Sequence, residues 1–367
     1  MKLATIGINY PQTRLVLNGK VPGVEYYSYQ NWYNPFLKKV FHTYEVYWPF
    51  LQGHIDAYHT VNTVVKTEKP WCCSFETLVP RTNRFNKNRL FEVFNMMCKD
   101  NCKQLIAFSD CNYNLQIEFM KDYPEYAKVL NPKTCKITIP QPLLLDAPKD
   151  MVNHGVLKFF FVGNDFVRKG CTEIIQALTK LRKKRQDFEL IMITRIQQTQ
   201  NYAFKNMQDS REYINGILHL VEEAKDYIHL YPHLPFEEVK KIMSSCDVGL
   251  LPTWAESYGY SVLEMQACGL PVVTTNIRAL PETNVCGWKV KLTPGKPNFE
   301  TIDIKNIEHK KMLRQQMVND LYDIFDYILD NREEVLERGQ RSYNFIADVH
   351  SPVKYTETIG NVYRKFF

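Results

Sequence analysis

The sequence predicts an α/β protein made of two Rossmann-like domains, each with a doubly wound parallel sheet, that face each other across a cleft. Three observations support this fold class. The chain has 367 residues, which is more than the roughly 250 to 300 at which one hydrophobic core usually stops growing. Continuous apolar segments alternate with amphipathic segments in the second half, as strands and covering helices do. The first half repeats this alternation less clearly.

The second half has the clearer pattern. Residues 158–163 form an apolar run that ends in glycine, which is typical of a strand covered on both faces. Apolar residues at a 3.6-residue period predict a helix over 172–184, with a basic patch in its last turn. The elements expected after it are strands at 188–194, 227–231, 247–251 and 271–274 and helices at 210–223, 236–244 and 260–268. Short loops between alternating strands and helices predict a parallel sheet.

The first half and the far end complete the organisation. Strand candidates in the first half are residues 3–8, 56–61, 71–75, 104–108 and 136–139. The polar, proline-containing stretch 141–150 predicts a linker. A charged helix is expected over 321–339, and Pro352 precedes a final helix that could pack back onto the first domain. The predicted domains are residues 1–149 with the final helix 353–367, and residues 150–352.

Composition and charge exclude several classes of protein. Hydrophobic residues make up 45% and charged residues 23% of the chain, which is the balance of a packed globular protein rather than a disordered one. A net charge of +6, spread along the chain, is too weak for nucleic-acid binding but suits acidic small molecules such as nucleotides. No apolar run reaches the roughly 18 to 20 residues that a membrane-spanning helix needs. We therefore expect a cytoplasmic protein, with peripheral membrane contact left open.

The ten cysteines favour neither disulfides nor metal. Cys171, Cys246 and Cys268 lie in apolar segments, as buried thiols do. No Cys-x-x-Cys occurs, and no histidine pair stands at zinc-finger spacing, so we expect no metal and no cofactor.

An aromatic segment over residues 26–51 has two interpretations. It could be core with a rim of tyrosines. It could instead be an interface for a sugar acceptor or lipid headgroups, because amphipathic rings and lysines suit both.

Residues 247–273 carry the most informative pattern, which is a strand, a polar loop, a short helix and another strand. The helix is expected to begin near Gly259, where a residue without Cβ lets a ligand approach the free N–H groups and the positive end of the helix dipole. The carboxylates of Glu256 and Glu264 could accept hydrogen bonds from sugar or ribose hydroxyls. Alternatively, Glu256 serves the helix dipole and Glu264 is a solvated surface residue.

Two sequence blocks together resemble a known family. Seven residues separate Glu256 from Glu264, and the surrounding positions are Ser257, Gly259, Ala267, Gly269 and Pro271-Val272-Val273. This pattern resembles the donor-binding signature of GT-B glycosyltransferases, in particular glycosyltransferase family 4. A second block, residues 161–170, resembles that family's strand and loop in which a glycine is followed six residues later by Lys-Gly. The resemblance covers about residues 155–290 and is only general over the first domain.

The resemblance implies a GT-B fold and metal-independent transfer of a sugar, with retention of anomeric configuration, from a UDP- or GDP-sugar to a hydroxyl of a saccharide, lipid-linked or protein acceptor. It implies that Glu264 binds the ribose, that Glu256 contacts the donor sugar, and that Lys169 with Arg168 beside it neutralises the diphosphate. Asn164 stands where many members of the family have an arginine. The remaining donor-site residues expected are Gly163, Asn164, Thr194, His233, Leu234, Ser257, Tyr258, Gly259, Tyr260 and Ser261.

The first domain offers weaker candidates. Glu76 follows the predicted strand 71–75 and either orients or deprotonates the acceptor hydroxyl or caps the next segment. His59 is a further candidate at a strand end. Two other functions stay open at this point, a sugar-nucleotide epimerase of GT-B fold and a non-catalytic subunit that binds a sugar nucleotide.

Overall fold

The computed structural model describes residues 1–6, 20–29, 46–49, 53–81, 87–152, 155–196, 200–292, 302 and 304–366. The chain divides into two compact units. The first is Met1–Gln141 with Val349–Phe367, and the second is Pro142–Asp348. Each unit has a six-stranded sheet in which every strand pair is parallel. These two parallel α/β units confirm the predicted fold class.

The first unit has its sheet in the order β2-β1-β4-β6-β7-β8, and a two-stranded pair, β3-β5. Its strands are β1 (Lys2–Ile6), β2 (Glu25–Tyr29), β3 (Val46–Tyr47), β4 (Ala57–Val61), β5 (Val64–Val65), β6 (Trp71–Phe75), β7 (Cys102–Ala107) and β8 (Thr134–Lys136). Its helices are α1 (Lys87–Cys98), α2 (Asp110–Met120), α3 (Pro124–Lys133) and α11 (Pro352–Arg364). Helix α11 begins where Pro352 occupies its first turn and the Ser351 side chain accepts from the Lys354 N–H.

The second unit has its sheet in the order β11-β10-β9-β12-β13-β14. Its strands are β9 (Leu157–Val162), β10 (Phe188–Ile193), β11 (Ile228–Tyr231), β12 (Val248–Leu251), β13 (Val272–Thr275) and β14 (Trp288–Val290). Its helices are α4 (Cys171–Arg182), α5 (Arg211–Glu223), α6 (Phe236–Ser244), α7 (Tyr260–Ala267), α8 (Leu280–Thr283), α9 (Ile307–Asp330) and α10 (Arg332–Val349). Strands β9 to β14, numbered 1 to 6 along the chain, lie in the order 3-2-1-4-5-6 of a doubly wound dinucleotide-binding sheet.

The core of the second unit explains its continuous apolar strand. Phe159, Phe160 and Phe161 of β9 have no exposed surface, so both faces of this central strand are covered. Full burial of such a side chain contributes roughly 1.5 to 3 kcal/mol. Every cysteine of the chain is a free thiol, and Cys171, Cys246 and Cys268 are buried, as the sequence predicts.

Several element predictions differ from the structure. The helix predicted over 321–339 is two helices, α9 and α10, because Asn331 between them leaves the helical conformation with φ −123° and ψ 54°. The strand predicted at 136–139 lies earlier, at β8, where Thr134 pairs with Leu105. Of the aromatic segment 26–51, residues 30–45 and 50–51 lie outside the described part of the chain.

Among the described residues, no helix combines the length and the apolar character needed to cross a membrane.

Candidate functional site

The order of the strands in the second unit reverses at one position in the sheet. The strand order reverses between β9 and β12, which are neighbours in the sheet. In open α/β sheets, ligands bind beyond the carboxyl ends of the strands at this reversal. The loop after β9 carries Arg168 and Lys169, and the loop after β12 carries Glu256. The residues predicted from the two sequence blocks therefore lie in the two loops that flank the reversal.

Gly170 lets these two loops approach each other. Its φ is +81°, and a Cβ there would lie 2.1 Å from the carbonyl oxygen of Pro252. Any side chain would be strained in this conformation and would collide with rigid backbone. The glycine of the Lys-Gly pair in the sequence block is thus required by the close packing of the loop after β9 on the end of β12.

Lys169 and Glu256 form an ion pair across the two loops. Their side chains are only 14% and 11% exposed. Burial raises the pKa of Glu256, but the Lys169 ammonium, the nearby Arg168 and the Ser257 N–H lower it further, so the pKa lies below its ordinary value. Glu256 is therefore a carboxylate in the free chain, and its second oxygen accepts the Ser257 N–H at 3.0 Å.

Arg168 is engaged by the protein itself. Its Nε donates to Asp165 Oδ2 at 3.0 Å, its Nη2 donates to the same oxygen, and its Nη1 donates to the Ala255 carbonyl at 2.7 Å. The side chain is 13% exposed. One more contact comes from the ring of Tyr202, whose centroid lies 5.4 Å from the guanidinium carbon. The role predicted for Arg168 as a ligand of the donor diphosphate stays a prediction.

Tyr202 is an exposed aromatic residue on a tightly built turn. It is 61% exposed and begins the 3-10 helix Tyr202–Phe204. The buried Asn201 caps this helix by accepting the Ala203 N–H at 2.9 Å, and Gln208 bonds both the N–H and the carbonyl of Asn201 at 2.8 Å. Phe204 anchors the turn against Trp254, with 5.2 Å between ring centroids.

A buried ion network holds the other end of this turn. On α9, the Arg314 guanidinium donates to Glu173 of α4 at 2.7 Å and to both carboxylate oxygens of Asp209 at 2.9 and 2.8 Å. Lys310 Nζ lies 2.9 Å from Asp209 as well. Since Glu173 and Asp209 are 0% and 4% exposed, the network fixes the turn to two helices of the unit.

Helix α7 presents an uncapped amino terminus at the same edge of the sheet. Gly259 precedes it with φ +93°, and no side-chain hydrogen bond caps the helix. The N–H groups of the first turn and the positive end of the helix dipole favour an anion. A Cβ on Gly259 would lie 2.7 Å from Leu280 Cδ2, which the end of that side chain can relieve, so glycine is needed there chiefly for its positive φ.

Glu264 lies in the second turn of α7 and differs from Glu256. Its side chain forms no hydrogen bond or ion pair with another described residue, and it is partly buried. Burial raises its pKa to about 7. Desolvation of a carboxylate without a compensating cation destabilises the folded chain. The same carboxylate can accept hydrogen bonds from a ligand that carries hydroxyl groups.

The other predicted donor-site residues occupy the same edge of the sheet with different exposure. Gly163 and Asn164 follow β9, and Asn164 is exposed. Thr194 follows β10 and is buried, and its N–H donates to the Tyr231 carbonyl at 2.9 Å. Beyond β11, His233 is exposed and Leu234 packs partly on the core. Ser257, Tyr260 and Ser261 are half-buried and Tyr258 is fully buried, with its ring 5.3 Å from that of Tyr260.

Glu76 of the first unit is held by neighbouring side chains. It follows β6, and its Oε1 accepts from Arg81 at 2.9 Å and from Asn62 at 3.4 Å. Its carbonyl accepts from Asn112 of α2 at 2.7 Å. Gln116, one turn further along α2, bonds the N–H and the carbonyl of Val79 at 2.9 Å. The polar face of α2 thus fixes the loop that carries Glu76.

The prediction for His59 was wrong. His59 lies within β4 and is 1% exposed. Its two ring nitrogens are bonded to Ser74 Oγ at 2.7 Å and to the Tyr363 hydroxyl at 2.8 Å. Burial lowers the pKa of the ring to about 4. A neutral, fully enclosed histidine of this kind joins α11 to the sheet and does not reach a ligand.

Backbone strain gathers near the strand ends in both units. Among the described residues, four that are not glycine have positive φ, namely Asn62, Asp165, Lys205 and Arg278. Asn62 directly follows β4, and the other three lie in the segments after β9, β10 and β13. Such conformations cost of order 1 to 3 kcal/mol and are concentrated at functional sites. In the part of the chain that the structure describes, no cluster of three metal-ligating side chains occurs.

Comparison with known families finds a match within the second unit. Residues 157–298 match the sequence profile of the family described as Glycosyl transferases group 1. We call residues 157–298 the group 1 segment. The group 1 segment contains Lys169, Glu256 and Glu264, and with them both loops of the reversal in the sheet.

Curated relatives of the group 1 segment are only partly covered. The chain is 25% identical over 224 residues to a D-inositol 3-phosphate glycosyltransferase of Pseudarthrobacter chlorophenolicus, which covers 60% of this chain and 49% of the relative. It is 27% identical over 155 residues to the O-antigen biosynthesis glycosyltransferase WclY of Escherichia coli, which covers 42% of this chain and 36% of the relative. The chain therefore spans less than half the length of these curated relatives.

Solved structures match over the whole chain. Sucrose-phosphate synthase of Thermosynechococcus elongatus has a TM-score of 0.65 at 14% identity and covers 100% of this chain and 99% of its own. Anabaena Alr3699/HepE, solved in complex with UDP, has a TM-score of 0.64 at 12% identity and covers 99% and 100%. At such low identity the likeness concerns the fold alone, and it confirms the predicted GT-B fold.

Sequence reasoning missed Asp165 and Tyr202, which both contact Arg168. The spacing of Asp165 and Arg168, three residues apart, is a weak sign of an ion pair. No pattern in the sequence indicates Tyr202, because its contact depends on how the turn after β10 folds back beside the loop after β9.

Proposed function

We propose that this chain transfers a sugar from a nucleotide-diphosphate donor, a UDP- or GDP-sugar, to an acceptor hydroxyl. One observation carries the proposal. Glu264 is a desolvated carboxyl without a hydrogen-bond or ion-pair partner in the part of the chain that the structure describes, on an uncapped helix beside the reversal of strand order in a group 1 segment. Sites that recognise hydroxyl groups use such carboxylates, because a charge-assisted hydrogen bond is about twice as strong as a neutral one.

In this proposal Glu264 accepts hydrogen bonds from the ribose hydroxyls of the nucleotide. The loop at His233 and Leu234, with Thr194 on the neighbouring strand end, lines the base. Glu256, in the loop between β12 and α7, contacts the donor sugar. Gly163 and Asn164, after β9, and the segment 257–261, at the start of α7, complete the donor site.

The diphosphate meets Lys169 and the amino terminus of α7. As the bond between the anomeric carbon and the phosphate oxygen breaks, negative charge grows on the leaving diphosphate. A fixed ammonium and helix N–H groups stabilise that charge without reorganisation, which lowers the barrier. The Glu256 partner of Lys169 keeps this ammonium in place before the donor binds.

The acceptor oxygen attacks the anomeric carbon on the face from which the diphosphate departs, and the leaving phosphate oxygen takes the acceptor proton. This route retains the anomeric configuration and requires neither a metal ion nor a carboxylate nucleophile. Glu76 orients the acceptor hydroxyl, since its own carboxylate is held in a fixed position by Arg81 and Asn62. A saccharide, lipid-linked or protein acceptor is compatible with this chemistry.

A thermal-shift panel of UDP, GDP, ADP and CDP tests the donor site. Saturation at 100 times the dissociation constant stabilises the folded chain by roughly 2.7 kcal/mol, so one nucleotide should raise the melting temperature clearly. Glu264→Ala should abolish the rise, whereas Glu212→Ala, a change of an exposed glutamate on α5, should leave it intact. No rise with any nucleotide would contradict the proposal.

The preferred nucleotide then selects the sugar donors for a transfer assay. Product analysis should show a retained anomer that forms only when an acceptor is present, and Glu76→Gln should slow turnover without weakening nucleotide binding. Conversion of the donor without an acceptor would instead indicate an epimerase, and an inverted product would overturn the proposed route.

A further inference from the structure

The strand-end loop after β9 holds two adjacent cations with different surroundings. Among the described residues, Lys169 has one carboxylate partner, Glu256. Arg168 has all three guanidinium nitrogens bonded within the unit, and an aromatic ring lies against it. A phosphate could replace the carboxylate partner of Lys169, whereas the Arg168 guanidinium already has a protein partner on each nitrogen and is only 13% exposed.

We infer that Arg168 is a positioning residue that holds the segment 253–257, with Asp165 as its orienting partner, and that it is not a ligand of the donor diphosphate. The inference rests on the proposed function, because segment 253–257 ends in Glu256 and Ser257 and thus sets where these residues meet the donor.

Arg168 is bonded to the segment 253–257 through both its side chain and its backbone carbonyl. Its Nη1 donates to the Ala255 carbonyl at 2.7 Å. Its own carbonyl oxygen accepts the Trp254 N–H at 2.8 Å and the Thr253 hydroxyl at 3.0 Å. Three consecutive residues just before Glu256 are therefore bonded to one arginine, two of them through its backbone carbonyl. The side chain itself joins the Ala255 carbonyl to Asp165, and a planar guanidinium holds these two acceptors in a fixed geometry that a flexible ammonium does not provide.

Asp165 sets the direction of that fork. It accepts from two nitrogens of Arg168, and its carbonyl accepts the Lys169 N–H at 2.9 Å. Its φ of +67° is a conformation that aspartate and asparagine tolerate better than most residues. The variant Asp165→Asn therefore keeps the shape and the backbone of the turn while it removes the charge that orients Arg168.

The turn formed by residues 201–209 places the Tyr202 ring against the Arg168 guanidinium. This turn is fixed by Asn201, Gln208 and the buried ion network around Arg314, so the ring does not depend on a bound ligand for its position. Arg168 is in this way enclosed before any donor arrives, as expected for a group that shapes a site rather than one that binds the charge of a substrate.

Asp165→Asn and Arg168→Lys separate the two roles by their effect on kcat, and Arg168→Gln, which removes the charge, separates them by its effect on UDP affinity. If Arg168 bound the diphosphate, Asp165→Asn would free it, and UDP would bind with equal or higher affinity. Arg168→Lys would then keep its charge and most of the affinity. If Arg168 positions the segment 253–257, both variants should lower kcat by about 100-fold, because a small misplacement of reacting groups has effects of that size, while the Kd of UDP stays unchanged.

Hydrogen exchange measures the same role without activity. Amide exchange in residues 253–257 of the full chain, without ligand, should accelerate in Asp165→Asn and in Arg168→Lys. The control is Asp226→Asn, which removes the aspartate from an exposed ion pair with Arg182 in the same unit; its exchange, kcat and UDP affinity should match the wild type. Melting temperatures report whether either variant is globally unfolded.

The outcomes are distinct. Faster exchange at 253–257 with lower kcat and unchanged UDP affinity supports the inference. Unchanged exchange, together with weaker UDP binding in Arg168→Gln and unimpaired binding in Asp165→Asn, overturns it and makes Arg168 a phosphate ligand. If the wild type transfers no sugar and binds no nucleotide, the proposed function fails, and the exchange measurement alone decides whether Arg168 holds the segment.

Discussion

Glu264 shows at the scale of one residue how a binding group differs from a stabilising one. Its carboxyl is partly buried and has no hydrogen-bond or ion-pair partner among the described residues, and burial raises its pKa to about 7. In the unfolded chain the ordinary value is about 4.5. The native state therefore binds more protons between these values, so this residue makes the chain less stable as the pH rises from about 4.5 to about 7. Above pH 7 the full destabilisation is present.

Glu264→Gln should consequently stabilise the free protein while it weakens nucleotide binding. The amide has a similar shape and no charge to desolvate, so we expect the free energy of unfolding at pH 8 to rise by about 1 to 3 kcal/mol. The gain over the wild type should vanish near pH 4.5, where the wild-type carboxyl is protonated in both states. Denaturant titrations at the two pH values measure it.

A matched glutamine at Glu212, which is exposed on α5, is the control for replacing a glutamate by glutamine. Loss of stability in Glu264→Gln at pH 8 would show that the carboxylate has a stabilising partner in solution and would remove the main support for its role as a ligand group.

The site residues that could be predicted from the sequence are those whose chemistry depends on local spacing. Glu256, Glu264 and Lys169 follow from short blocks, and the structure places them in loops or on a helix at one edge of one sheet. Asp165 and Tyr202 could not be ranked this way. Their importance comes from contacts with Arg168, and Tyr202 is 34 positions away from it in the chain.

At the scale of elements, periodicity predicted the second unit well. Helix α6 has the predicted limits, and β9, α4 and α7 differ from prediction by one or two residues, because each has an apolar face that must be buried. The break between α9 and α10 was missed, since apolar positions continue on both sides of Asn331 and only its backbone conformation ends the helix.

Two glycines of one loop give a prediction at this scale. Gly170→Ala should destabilise the second unit by roughly 2 to 4 kcal/mol, since left-handed backbone strain adds to a collision with the Pro252 carbonyl. Gly163→Ala should be tolerated, because its Cβ would meet Phe161 and Lys169 at ordinary distances of 3.6 and 3.9 Å. Denaturant unfolding of both variants measures the difference.

Equal destabilisation by the two substitutions would argue against the close approach of α4 and β12 at Gly170. If Gly163→Ala keeps its stability but loses the nucleotide-dependent thermal shift, Gly163 belongs to the donor site, as the sequence predicts.

At the scale of the whole molecule, the sequence predicted the elements of the second unit better than those of the first. The second unit alternates strands and helices regularly, and its sheet has a strand order that the alternation implies. In the first unit α1, α2 and α3 were not predicted. Helix α2 illustrates why. Its buried positions include the polar residues Asn112 and Gln116, which bond to the loop that carries Glu76. The buried face therefore has no apolar periodicity by which the sequence could predict it.

The first unit also contains two buried histidines that make it sensitive to acid. Burial lowers the pKa of His59 and of His350 to about 4, although a hydrogen bond from the His350 ring to the Ile139 carbonyl opposes the shift. The unfolded chain binds protons on these rings below about pH 6.5, whereas the folded chain does not until about pH 4. The stability of this unit should therefore be fully present above pH 6.5 and decrease as the pH falls from 6.5 to 4.

His59→Gln should remove part of this acid sensitivity. Between pH 7 and pH 5 each buried histidine should reduce the free energy of unfolding by about 2 kcal/mol, so the variant should lose about 2 kcal/mol less than the wild type over that interval, whatever its stability at pH 7. The groups that contact the His59 ring are the Ser74 and Tyr363 hydroxyls, and a glutamine amide can bond to both. Denaturant titrations at the two pH values, with His219→Gln on the exposed face of α5 as the control, measure the change. An identical pH dependence in wild type and His59→Gln would mean that His59 is protonated in the folded chain, and that α11 is joined to the sheet through a charged ring rather than a neutral one.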